Sequence, residues 1–141
     1  MTWVVKAAFA REMADAGTAE AAGDFRLAKW HLERAHILGQ RSYITHVTTH
    51  FHMFRLAIRQ SDFAEARGQI VRLIGAGPFH IVGWVPLGNT GGADVSPTLP
   101  MPIPSDLQPF LARHSLRRGL IVRGVLLIAL IAAFVALCKV N

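Results

Sequence analysis

Thiol chemistry is nearly absent from this chain, whose one cysteine, Cys138, stands close to the end of 141 residues. A single cysteine closes no intrachain disulfide, and the preceding residues offer no thiolate to a metal. Acidic residues are scarce too, and none follows Asp106. Through Asp106 the chain holds 10 Lys and Arg against 9 Asp and Glu, whereas residues 107–141 hold 5 bases and no acid. The formal charge of +6 therefore belongs to the tail, and the body lacks the basic surface that nucleic acid would require. The N-terminus, MTWVVKAAFAREMADAG, has too short an apolar run for a signal peptide.

What is present in the tail is a run without charge from Gly124 to Cys138, which extends back to Gly119 if Arg123 is admitted. About 20 apolar residues at 1.5 Å each span the hydrocarbon of a bilayer, and an Arg near the end can reach the headgroups. The expectation is a C-terminal transmembrane helix at about 119–138. Arg113, Arg117 and Arg118 precede it, so the positive-inside rule puts the N-terminal domain in the cytoplasm of a single-pass membrane protein.

The body repeats itself at a shift of 38 residues, aligning GDFRLAKWHLERAHILG from Gly23 with SDFAEARGQIVRLIGAG from Ser61. Asp24 meets Asp62, Phe25 meets Phe63, Ala28 meets Ala66 and Gly39 meets Gly77. Each copy opens on an Asp suited to capping a helix N-terminus and closes on a Gly suited to ending one. The segments before them, VVKAAFAREMADA and YITHVTTHFHMFRLAI, also carry helical spacing. The fold class expected is mainly α: two antiparallel helical hairpins that resemble degenerate tetratricopeptide repeats, although two units are fewer than a solenoid usually needs. The domains expected are a four-helix region, 1–77, an ordered irregular Gly/Pro-rich strap and linker, 78–112, and a basic juxtamembrane segment with its transmembrane helix, 113–141. Phe79, Ile81, Val82, Trp84, Val85 and Leu87 are expected to lay the strap along the helices. Its GNTGGA, with no strand before it and no Lys within it, reads as tight turns rather than a phosphate cradle.

The phrases LERAHILGQ, GNTGGADVS and PMPIPSDL, with the spaced His46, His50 and Met53, resemble a family of small bacterial proteins known only as a domain of unknown function. The resemblance covers roughly residues 20–107. It implies no reaction, only a loose association of some members with metal-handling genes.

Five of the seven histidines fall between residues 30 and 53. Glu33 and His36 share a face of the second helix, and His46 and His50 share a face of the third. A short turn makes those helices antiparallel neighbours, so all four groups can converge. Three imidazoles and a carboxylate suit one divalent transition metal: zinc, iron, nickel or copper. A symmetric di-iron site is disfavoured, because Val71 and Ile74 replace Glu33 and His36 in the second repeat. The competing reading makes these histidines hydrogen-bonded members of the helical wall, beside an expected core stripe of Ile44, Val47, Phe51, Phe54 and Ile58. His31 and His52 fall off the shared face and are expected at the surface, with His80 a further candidate ligand.

No nucleophile is paired with an oriented base, so the sequence favours a non-enzyme. Two functions stand side by side. One is a membrane-anchored interaction or accessory subunit that binds a protein partner near the bilayer. The other is a transition-metal protein for storage, delivery or sensing, through Glu33, His36, His46 and His50.

Overall fold

The computed structural model describes residues 1–111 and Ile128. Four helices, α1 (Trp3–Ala21), α2 (Phe25–Gly39), α3 (Tyr43–Arg59) and α4 (Phe63–Val82), are followed by a long irregular segment and a single turn, α5 (Gln108–Leu111). Among the described residues there is no strand. Helix α1 packs on α2, α3 packs on α4, and α2 joins the two hairpins by packing on α3.

The repeat is visible in its caps. Asp24 accepts a hydrogen bond from Leu27 N and Asp62 accepts one from Glu65 N, each at 2.9 Å. Immediately before them Gly23 and Ser61 both take positive φ, 78° and 57°, turning the chain sharply enough to reverse it. The resulting hairpins are held by small residues. Ala16 and Ala19 of α1 meet Ala28 and Leu32 of α2, with Met53 and Leu56 of α3 closing the cluster. Each large apolar side chain so buried contributes about 1.5–3 kcal/mol. A second cluster, Val5, Ile37, Leu38, Leu107 and Leu111, brings the end of the irregular segment back onto α1 and α2.

Three expectations about packing are corrected. Helix α4 does not end at Gly77. It continues through Pro78 to Val82 and stops at Gly83, whose φ of 75° lets Gly83 N reach His80 O and Trp84 N reach Phe79 O, a paired C-terminal closure. Helix α3 is rotated relative to its expected core stripe. Ile44 is 75% exposed and Phe51 50%, whereas Thr49, His50, Met53, Leu56 and Ala57 are buried. The polar-looking face is the one that packs, because α2 and α4 supply partners for its imidazoles. The irregular segment, finally, docks by its small residues. Trp84 is exposed, while Gly88, Asn89, Gly91 and Gly92 are buried.

The expected membrane anchor is also corrected. Among the described residues no helix is long and apolar enough to cross a membrane. The two longest, α1 and α4, carry Lys6, Arg11, Glu12, Asp15 and Glu20, and Glu65, Arg67 and Arg72, and such charges each oppose insertion by about 3 kcal/mol. A single-pass placement with a cytoplasmic N-terminal domain therefore loses its support. The expected span at 119–138 and the basic residues before it lie, Ile128 apart, outside the described residues.

Candidate metal centre

His36 projects from the last turn of α2, His46 from the first turn of α3, and His50 from the turn after it. The connection between these helices is tight because Gly39 leaves no side chain there. A Cβ at Gly39 would sit 2.9 Å from the Phe9 ring, and Thr45 Oγ1 donates back to Gly39 O at 2.7 Å. The turn thus brings the three imidazoles together, with ring centroids 4.6–4.8 Å apart. One nitrogen from each lies within 4.8 Å of the others.

Two of the rings are oriented by buried acceptors. His36 Nδ1 donates to Asn89 O at 2.8 Å, and His50 Nδ1 donates to Gln69 Oε1 at 2.7 Å. With the proton on Nδ1, each ring keeps its lone pair on Nε2. His36 Nε2 is buried with no hydrogen-bond partner. His50 Nε2 lies 3.0 Å from His46 Nε2 and accepts from it, which leaves the His46 lone pair on a buried, unpartnered Nδ1. Burial keeps all three neutral. It holds His36, assisted by the two neighbouring rings, well below the usual imidazole value. It lowers His46, assisted by His50 and His80, to about 3. It lowers His50 to about 4, against the opposing effect of the Gln69 hydrogen bond.

The irregular segment supplies the support. Asn89 fixes its own loop by accepting from Gly91 N and donating to Ser96 O and Leu99 O. Gly91, at φ 80°, runs so close to His36 that a Cβ there would lie 2.8 Å from the ring. With its amide turned so that both atoms find partners, Gln40 donates to Pro86 O and accepts from Gly88 N, both at 3.1 Å. The N–H groups of Gly88, Gly91 and Ala93 are thus taken by Gln40, Asn89 and Glu65, consistent with turns in the GNTGGA stretch. Gln69, fully buried, spends its amide nitrogen on Glu65 Oε1, Gly91 O and Met53 Sδ.

Of the four ligands expected, the structure brings together His36, His46 and His50. Glu33 is not among them. Its carboxylate faces Lys29 at 4.0 Å, and Lys29 also reaches Glu65 at 3.4 Å and Asp94 at 4.0 Å. The Glu33 carboxylate thus lies toward Lys29 and beside Gly92, with burial raising its pKa against the opposing Lys29. His80 packs against Tyr43, ring centroids 5.6 Å apart, outside the three-ring group. His31, expected at the surface, is largely buried against Glu12 at 2.8 Å, and His52 is half-buried beside Phe51.

Gln69, Asn89, Gln40 and Arg72 were not singled out from the sequence. The available signal was weak: an uncharged amide on a face otherwise made of Ala66 and Ala76, and an Asn within a glycine-rich turn. Together with the histidines, Gln40, Arg72 and Asn89 line a cavity of about 70 Å³, walled elsewhere by apolar groups including Val71, Ala76 and Trp84, while Gln69 reaches the group through its hydrogen bond to His50. Chemically, the arrangement is three neutral nitrogen donors at the base of a small apolar chamber. The chain has no match among curated proteins or solved structures. Residues 4–111 match the family described as protein of unknown function (DUF3703), and the chain belongs to it.

Proposed function

We propose that this protein binds one divalent transition metal ion through Nε2 of His36, His46 and His50. The observation that carries the reading is the buried three-imidazole group with two rings already oriented by Nδ1 hydrogen bonds. Ligating histidines characteristically donate their other N–H in this way. The 3.0 Å between His46 and His50 Nε2 is near the ~3.3 Å that two nitrogens on a tetrahedral ion at 2.0–2.1 Å require. His46 needs only to move its proton from Nε2 to Nδ1. An all-imidazole set without thiolate or carboxylate suits zinc, copper, nickel or iron. The open coordination positions fit storage, delivery or sensing better than a closed structural site.

The competing reading, a satisfied helical wall, is weakened by the two imidazole nitrogens left without partners, each of which costs about 1–3 kcal/mol when buried unpaired. The test compares protein purified without a His tag with the double variant His46→Ala/His50→Ala. Near-stoichiometric metal in the wild type and little in the variant, at equal helicity by circular dichroism, supports the proposal. Equal metal in both sinks it.

A second reading, binding of a protein partner, is favoured by one observation. Ile44, Phe51 and Ile58 form an exposed stripe on α3, and Phe63, Ile70, Ile74 and Ile81 form one on α4. Exposed apolar rows of that kind mark interaction surfaces. Co-purification of the full chain tests it, with a monodisperse monomer free of partners as the contrary result.

A further inference from the structure

Three histidines leave at least one position of a tetrahedral ion unfilled. Three neutral imidazoles leave the full double charge of the ion uncompensated in a buried site. The nearest carboxylates are committed elsewhere: Glu33, Glu65 and Asp94 face Lys29, and Glu65 further accepts from Gln69 and Ala93 N. A second positive group lines the same cavity, the guanidinium of Arg72. Arg72 donates only to backbone carbonyls, those of Gly68, Gly92 and Val95. Among the described residues no carboxylate is in direct contact with it, Glu65 and Asp94 acting on it only from a distance, and its Nε is buried with no acceptor. These two carboxylates compensate Arg72 only in part, against the larger opposing effect of burial, and a metal ion beside it adds like charge that a bound anion offsets.

We propose that the open position of the three-histidine centre takes a small monovalent anion, bound at once to the metal and within the field of the Arg72 guanidinium. The cavity sets the size. A volume of about 70 Å³ gives room for a halide, azide, formate or bicarbonate, since one water needs only about 10–15 Å³ on that scale. Sulfate, doubly charged and strongly hydrated, loses more hydration than a monovalent anion on entering an apolar-walled cavity. The apolar walls remove water that would otherwise compete for the ion, and arginine is the side chain best shaped to hold a carboxylate-like anion.

The inference rests on the metal reading, and its test separates the two. The full-length protein is loaded with cobalt(II), and its visible d–d spectrum is followed during titration with sodium azide or formate, with sodium sulfate as control. Saturable spectral changes with azide and formate, and none with sulfate, are expected. Arg72→Met is expected to weaken anion binding at least tenfold while retaining one cobalt per chain, with Arg72→Lys recovering part of the loss. Because Arg72 also ties down the Gly92 and Val95 carbonyls, the cavity-filling variant Ala76→Val gives an independent arm that should also reduce the response. Cobalt that binds with a spectrum indifferent to azide and formate overturns the anion site and leaves the metal reading standing. An anion response equal in Arg72→Met and wild type overturns the role of Arg72. Failure to bind cobalt removes both.

Discussion

Replacing Gln69 by Leu tests how far the centre depends on groups that never touch the metal. The substitution keeps the volume but removes an amide that is fully buried. It accepts from His50 Nδ1 at 2.7 Å and donates to Gly91 O at 2.9 Å and Glu65 Oε1 at 2.6 Å. Glu65 retains Ala93 N and Lys29, so two groups are orphaned, the His50 N–H and the Gly91 carbonyl. At about 1–3 kcal/mol for each buried unsatisfied group, the loss is about 2–6 kcal/mol, a large part of the 5–15 kcal/mol typical of a domain. The assay is urea unfolding of metal-free protein, followed by competitive metal titration at a urea-free condition where the variant remains folded. Metal affinity should fall about 10–100-fold, because His50 is no longer held with its lone pair on Nε2. Gln69→Glu supplies the contrast. It restores an acceptor for His50 but sets a carboxylate against Glu65, so it should remain destabilised while recovering part of the affinity. A Gln69→Leu protein within ~0.5 kcal/mol of wild type and with unchanged affinity would refute the reasoning.

Other outcomes follow from the same geometry. His50 and His46, lowered to about 4 and about 3 by burial, take up protons near pH 6.5 only when unfolded, so metal-free stability is complete above pH 6.5 and declines as pH falls toward 4. At pH 5 each should subtract about 2 kcal/mol, and a urea midpoint unchanged between pH 7 and pH 5 would contradict this. Gly91→Ala places a Cβ 2.8 Å from the His36 ring at a φ of 80°. It should destabilise by at least ~1–2 kcal/mol and weaken metal binding, as read by calorimetry, since the loop carrying the Asn89 acceptor must shift. Asp24→Ala and Asp62→Ala should each lower stability by about 1 kcal/mol through loss of an N-cap. They should leave metal affinity alone, and a parallel fall in affinity would show that the hairpin ends are coupled to the site.

The hairpins were legible because caps are local. An Asp followed by a helical apolar pattern specifies where a chain turns, and the 38-residue repeat wrote that signal twice. The meeting of His36, His46 and His50 was legible for a related reason, since i, i+4 spacing and a short turn leave little freedom. Which face of α3 packs was not legible. The helix carries an apolar face with Ile44 and Phe51 and a mixed face with His50 and Met53, and periodicity identifies faces without saying which one finds a partner. Glu33 misled for the same reason: one turn from His36, it has the right spacing, but Lys29 competes for its carboxylate. The supporting amides were hidden because Gln69 and Asn89 look in sequence like ordinary surface residues, and only long-range contacts make them buried acceptors. Gly77 looked like a helix end, yet a glycine ends a helix only where the following backbone can close it, and here Gly83 and Trp84 do so.

The most direct measurement of the central claim is X-ray absorption at the metal edge of protein loaded with zinc. Coordination by His36, His46 and His50 predicts outer-shell scattering from three imidazoles, nitrogen distances of about 2.0–2.1 Å and one further light atom from an exchangeable ligand. A first shell containing sulfur, or one with fewer than two imidazoles, would contradict the account.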